Sequence, residues 1–333
     1  MEEYVIGVDI GGTKSHLALF NKNGDFVDLC HWGPLNHEVL PASFAQFEDE
    51  FGRFVNEVIL KHRIKMEQIK FSVLGVAGVD TKMQHKIISG ILEKIGLKKF
   101  ILTNDAYLGI PAGNRSGQGT GICAINGTGC TLAGINREGK TLQIGGVGAI
   151  SADKGGGNYL GGRLLSSVYT ELFRKGEATL MTELLFKKYK IPNKYEYVEI
   201  IQEKSAAGEF SVSACNPLVF EAAGQGDKVA ENILKEMADS YAGGILCMIE
   251  ELAFPQKDEL YIVFAGSVFV RGEHPLLIDT LKTIVNKSSP NQNINYIKLD
   301  VPNVAGAVIW ALNSLHEGSN FYDKVCTQFR KLT

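Results

Sequence analysis

Two aspartates stand where an apolar strand runs out into a turn, and phosphoryl chemistry could use a carboxylate at each place. Asp9 falls near the end of YVIGVDI and precedes Gly11, Gly12, Thr13 and Lys14; Asp105 ends KFILTND and precedes a short helical pattern, AYLGIPAG. Glycines let a backbone approach an anion closely, and successive N–H groups with a threonine hydroxyl can cradle phosphate oxygens. A carboxylate directly against phosphate is repelled. Asp9 therefore makes sense where a divalent cation, held mostly through water, lies between the two. Asp105 could orient a hydroxyl and take its proton late in a phosphoryl transfer, for which a weak base of pKa ~4 suffices. The commonest reason for an Asp at such a position is simpler, a helix N-cap.

A second glycine turn, Asn126-Gly127-Thr128-Gly129-Cys130, supplies the counterpart. A shift of 115 residues lays GTKSHLALFNKNG (12–24) over GTGCTLAGINREG (127–139), with six of thirteen positions identical, Asn21/Asn136 and Gly24/Gly139 among them. Each turn alone reads as an ordinary hairpin. As a duplicated pair preceded by one acid, they predict two related domains whose turns face one another as a phosphate clamp. The stretch Gly134–Thr141, GINREGKT, fits the P-loop pattern letter for letter, yet it continues into LQIGGVGAI, which has no helical period. A P-loop works by opening a helix, so this one is read as a hairpin turn.

The elements that must position these residues follow from periodicity and turn chemistry. Strands are expected at 4–9, 15–21, 25–30, 70–76, 99–103 and 259–266, with Asn23-Gly24 as a hairpin signal. Helices are expected at 43–62, where Phe44, Phe47, Phe51, Val55 and Val58 recur at helical spacing, and near 83–95, 156–174, 227–252 and 302–316. At 333 residues and 45 % hydrophobic content the chain can bury a large core, and its length favours two domains. A net charge of −3 with scattered basic residues offers no global attraction for nucleic acid or an anionic membrane. The six cysteines form no CxxC pair, which argues against a disulfide scaffold, a zinc ribbon or an iron–sulfur cluster. The acidic start runs straight into a strand and no apolar run reaches membrane length, so a cytoplasmic protein is expected.

Polar residues in glycine-rich or apolar loops are the candidates for a hydroxyl-rich ligand: Asn36 in GPLNHEVL and Asp153 in GGVGAISADKGGGNYLGG. The alternative for Asn36 is a turn residue and for Asp153 a helix cap, and spacing alone does not choose.

Taken together these stretches resemble the sugar kinase and actin-like ATPase superfamily, an α/β fold of two ribonuclease-H-like domains around a nucleotide cleft. Within it the chain is similar to N-acetylglucosamine kinases of the branch shared with the BadF-type activator ATPases. GVDIGGTKS matches the first phosphate motif, INGTGC the second, VFAGSVF (263–269) the adenosine motif and PNVAGAVIWA (302–311) the closing helix. The resemblance implies ATP and Mg²⁺ as cofactors, a small sugar as substrate and a homodimer. It implies Asp9 for the metal, and Gly11, Gly12, Thr13, Lys14, Gly127, Thr128 and Gly129 for the nucleotide phosphates. Asp105 would be the base, and Asn36, Gly129, Gly145, Gly146, Val147 and Asp153 would border the sugar. Gly266 and Ser267, with Ser213 and Arg271, would flank the adenosine. Domains are expected at 1–115 plus 305–333 and at 116–304. Where the family often has GDEGSA this chain has ADKGGG (152–157), which predicts a looser loop beside Asp153.

Overall fold

The computed structural model describes residues 2–332. A first sheet is built from β1 (Tyr4–Ile10), β2 (Ser15–Asn21), β3 (Phe26–Trp32), β4 (Ile69–Val76) and β5 (Phe100–Thr103), in the order β3-β2-β1-β4-β5. The first three strands form an antiparallel meander; β4 and β5 return parallel to β1 through helical crossovers. Those crossovers, α1 (Ser43–His62) and α2 (Lys82–Ile95), cover the sheet's outer face. Phe47, Phe51, Phe54, Val55 and Val58 are the buried stripe of α1. In α2, Thr81 and Gln84 form a capping box and Gly96 ends the helix in the left-handed conformation.

After the short α3 (Gly109–Gly113) the architecture repeats. The second sheet consists of β6 (Gly121–Asn126), β7 (Cys130–Ile135), β8 (Thr141–Gly145), β9 (Glu259–Ala265) and β10 (Asn293–Lys298), in the order β10-β9-β6-β7-β8. Read from β8, this is the first sheet's order, with the same antiparallel meander and the same parallel return. Between β8 and β9 lie α4 (Gly157–Arg174), α5 (Leu180–Tyr189), α6 (Tyr197–Ala206), α7 (Asn216–Gly224) and α8 (Lys228–Glu251). The chain closes with α9 (Ser267–Arg271), α10 (Leu276–Ser288), α11 (Val304–Leu315) and α12 (Tyr322–Arg330). The fold is thus α/β with two ribonuclease-H-like units.

The 115-residue repeat survives to the level of single hydrogen bonds. In the β2–β3 turn the Asn21 side-chain oxygen accepts from the backbone N–H groups of Asn23 (3.0 Å) and Asp25 (2.9 Å). In the β7–β8 turn Asn136 accepts from Glu138 (3.0 Å) and Lys140 (2.8 Å) in the same way. The identities Asn21/Asn136 and Gly24/Gly139 are therefore one turn built twice. The P-loop look-alike is this second turn, between two strands.

Three apolar layers result. One lies under α1 and α2, and a second lies beneath α4–α8 and α10. A third lies between the sheets, where residues of α3, α11 and α12 pack with Val5, Val73, Cys123 and Val263. Helix α11 sits tight on β1: a Cβ on Gly7 would meet Val308 at 2.7 Å and Ala307 at 3.1 Å. The ring of Phe329 in α12 stacks on Phe20 of β2 (5.7 Å). Among the described residues no helix is long and apolar enough to cross a membrane. Helices α5, α6, α7, α9, α10 and α12, and strand β10, are additions to the elements expected from pattern.

Candidate active site

The sheet register aligns the first carboxylates. Asp9 of β1 stands beside Gly75 of β4, and Gly75 beside Thr103 of β5. Two residues after Thr103 comes Asp105, at the start of a 3₁₀ turn (Asp105–Leu108). Gly75 makes the close approach possible: a Cβ there would lie 3.0 Å from the Asp105 Cα. The N-cap of the turn is Asn104, not Asp105, so the commonest structural role for that aspartate is already filled. Burial, then the charges of Asp9 and Asp80, push the Asp105 carboxyl up to about 8. His16 Nδ1 lies 3.9 Å from Asp9 Oδ2 on the neighbouring strand.

The first glycine turn is a tight hairpin end, closed by Gly11 N–H donating to Lys14 C=O (3.0 Å). Gly12, Thr13 and Lys14 are exposed. The second turn is enclosed by two further glycine segments. Gly127 donates to Gly129 C=O (2.9 Å), and Gly157, at the start of α4, donates to Gly127 C=O (2.7 Å). The buried Asn126 side-chain oxygen accepts from Gly156 N–H (2.7 Å). Gly156 has φ +85°, and a Cβ there would lie 2.6 Å from Thr128 O; Gly266 has φ +85°, and its Cβ would lie 2.5 Å from the Asn126 carbonyl. Only glycine fits either place. The triple glycine 155–157 is buried and tightly packed, so the expectation of a looser loop is reversed.

This packing brings the adenosine candidates to the same spot. Gly266 abuts the second turn and Ser267 opens α9. A Cβ on Gly157 would lie 3.1 Å from Ser213 Cβ. Arg271 is exposed at the far end of α9, one turn away.

The sugar candidates divide in a similar way. Asp153 is no helix cap: α4 is preceded by Gly156. Its carboxylate accepts from Gly146 N–H (3.0 Å) and Gly148 N–H (2.9 Å), bracing the loop that carries Gly145, Gly146 and Val147. Asn36 is buried and its side-chain oxygen accepts from Glu38 N–H (2.9 Å), a turn role; its neighbour His37 stacks on Phe44 (4.2 Å). Asp80 and Gln143 are additions that sequence reasoning missed. Asp80 follows β4 in VAGVD, an acid after an apolar strand like Asp9, and that likeness was the available signal.

The donors near Asp9 and Asp105 are hard carboxylate oxygens, and among the described residues no three His, Cys, Asp or Glu side chains converge into a metal cage. Such a set suits Mg²⁺, which takes one or two carboxylates and keeps most of its waters. The nearby thiols are unsuited to either metal binding or nucleophilic attack. Burial pushes Cys123 up strongly and Cys130 up to about 12.

Comparison with known proteins places this geometry among relatives. The chain is 27% identical over 321 residues to an N-acetyl-D-glucosamine kinase of Dictyostelium discoideum, covering 94% of this chain and 99% of that one. It is 26% identical over 314 residues to an N-acetylmuramic acid/N-acetylglucosamine kinase of Clostridium acetobutylicum, covering 93% and 98%. Among solved structures, a candidate N-acetylglucosamine kinase of Chromobacterium violaceum superposes with a TM-score of 0.65 at 18% identity, covering 93% of this chain and 99% of that one. A glucokinase of Streptomyces griseus, solved with glucose and AMPPNP, gives 0.54 at 16% identity, covering 94% and 98%. The solved structures share the fold; membership is carried by the sequence itself. Residues 6–311, from β1 into α11, match one family model, and the chain belongs to the BadF/BadG/BcrA/BcrD ATPase family.

Proposed function

We propose that the protein is an ATP- and Mg²⁺-dependent kinase that phosphorylates the 6-hydroxyl of an N-acetylated hexosamine, N-acetylglucosamine first. The observation that carries this reading is Asp105, a carboxyl pushed up to about 8 by burial and by the charges of Asp9 and Asp80, in the turn that follows β5 of the sheet carrying the first glycine turn. A base of that pKa suits proton removal from a sugar hydroxyl near neutral pH. The two relatives near 27% identity are named for this substrate class.

In this reading Asp105 orients the sugar hydroxyl and accepts its proton as the hydroxyl oxygen bonds to the γ-phosphorus of ATP and the bond from that phosphorus to the β,γ-bridging oxygen breaks, releasing ADP. The backbone of Gly11, Gly12, Gly127 and Gly129, with the Thr13 and Thr128 hydroxyls and Lys14, steadies the phosphates from both sides. Asp9 would hold Mg²⁺, which would supply neutralisation of phosphate charge. Asn36 and the loop Gly145–Val147, braced by Asp153, hold the sugar; Gly266, Ser267, Ser213 and Arg271 flank the adenosine. The moving units are 1–115 with 305–333 and 116–304, and their closure excludes competing water.

The test is purified protein with Mg-ATP and a panel of N-acetylglucosamine, N-acetylmuramic acid, glucosamine and glucose, scoring ADP and sugar phosphate together. Sugar-dependent ADP with stoichiometric phosphorylated N-acetylglucosamine is expected. ADP release without any sugar phosphate would sink the kinase reading in favour of an ATPase acting on a partner protein. Asp105→Asn is expected to cut turnover by about two orders of magnitude or more while nucleotide affinity stays within a few-fold.

A further inference from the structure

One hydrogen-bond chain crosses from the second sheet to the turn that carries Asp105. Gln143 lies in β8, the outer strand of the second sheet, and its Nε2 donates to Asp80 Oδ1 at 2.5 Å. The same oxygen accepts from Asn104 Nδ2 at 2.9 Å. Asn104 is 4% exposed, and its own side-chain oxygen accepts from Ala106 N–H at 3.0 Å, capping the 3₁₀ turn in which Asp105 sits. Two residues before Gln143, on the same face of β8, the Thr141 side chain lies against the hydroxyl of Tyr107, the third residue of that turn.

The turn is thus tied through Asp80 and Asn104 to one residue of a strand belonging to the other sheet, and that strand's alternate residue Thr141 lies beside Tyr107. That strand leads directly into Gly145 and Gly146, the loop braced by Asp153. Position along β8 therefore couples the loop to the carboxylate.

We propose that Gln143 and Asp80 are a positioning pair, which holds the Asp105 turn in register with the Gly145–Val147 loop across the cleft. The catalytic reading of the pair rests on the kinase assignment above; the mechanical part does not. Neither residue touches the reacting atoms. Gln143 acts through Asp80, and Asp80 through Asn104. The amide suits this place because it donates to a carboxylate without adding charge beside Asp9 and Asp105. A glutamate of the same length would set a second carboxylate against Asp80 and open the link.

Two measurements on Gln143→Ala, Gln143→Glu and Asp80→Asn decide the matter. Amide hydrogen exchange on the ligand-free full-length protein should show the Ala106–Leu108 amides exchanging about tenfold faster or more in both Gln143 variants, with the α2 amides unchanged. Steady-state kinetics should show kcat reduced by about tenfold or more, with KM for ATP held within about twofold, because a displaced base weakens the chemical step and leaves nucleotide binding alone. The double variant Gln143→Ala/Asp80→Asn should lose no more than the worse single variant, the mark of two residues acting through one bond. Wild-type exchange at 106–108 in Gln143→Ala, or additive losses in the double variant, would overturn the proposal. If the wild-type protein phosphorylates no sugar, the kinase assignment falls while the exchange arm still decides whether the pair holds the turn.

Discussion

Asp105 is buried and feels the charges of Asp9 and Asp80, and this has two opposite consequences. For catalysis, only the ionised form can accept a proton. With its pKa pushed up to about 8, the base-competent fraction rises about tenfold per pH unit below that value. The kcat/KM for sugar, which reports the free enzyme, is expected to climb from about pH 6 and to level above pH 8. For stability the sign is reversed. The folded pKa lies above the value near 4 of an unfolded aspartate, so the native state binds the extra proton between the two values, and stability falls as pH rises from about 4 to about 8. Asp105→Asn removes the ionisation. Its melting temperature should match the wild type near pH 4 and exceed it by an increasing margin towards pH 8. A margin independent of pH would mean that the carboxyl ionises at its ordinary value. Loss of turnover with gain of stability is the expected signature of a group placed for chemistry.

At the scale of elements, the duplicated hairpin turn offers a comparison within one chain. Asn21 and Asn136 make the same two bonds to their turns, but their surroundings differ. Asn136 is 8% exposed and also donates to Leu252 C=O at 2.9 Å, tying the β7–β8 turn to the end of α8. Asn21 instead donates to the exposed Asp25 carboxylate (3.1 Å). Removing a buried partner strands the polar group left behind, at a cost of about 1–3 kcal/mol. Asn136→Ala is therefore expected to lower unfolding stability by that amount and Asn21→Ala by clearly less, measured by urea titration. The same repeat shows why so much of the fold was legible. The strands, the hairpin turns and the long helices α1, α2, α4 and α8 carry their own periodicity or caps. Helix α6 buries only Tyr197, while α7 buries most of its residues; neither presents a stripe to read. Asp9, Asp105 and the glycine turns could be read because chain-local chemistry marks them. Asp80 carried the same local mark as Asp9, but its bond to Gln143 could not be read, since it joins residues 63 apart and exists only once both sheets are in place.

For the molecule as a whole, the decisive packing lies between the sheets, where α3 and α11 cross. Gly306 of α11 is buried, and a Cβ there would fall onto the Leu108 carbonyl oxygen and lie 3.0 Å from Ala112 N. Backbone meets backbone at this point, so no rotamer change can make room. Leu108 also ends the turn that carries Asp105, which places the crossing next to the proposed base. Gly306→Ala must push the two helices apart within the layer shared by both sheets, and overpacking of that kind typically costs about 1–3 kcal/mol or more. The control is the same substitution at Gly90, which is exposed in the middle of α2 with nothing within 4 Å of a Cβ. There alanine improves helix propensity and stability should rise by about 0.5–1 kcal/mol. Urea titration of both variants should therefore move the midpoint in opposite directions from one chemical change. The Gly306 variant should also lose sugar turnover beyond its loss of folded protein, because the displaced crossing carries Leu108 and the Asp105 turn with it. Equal and small effects at the two glycines would mean that the interface between the sheets yields freely, and that α3 and α11 do not set the spacing of the cleft.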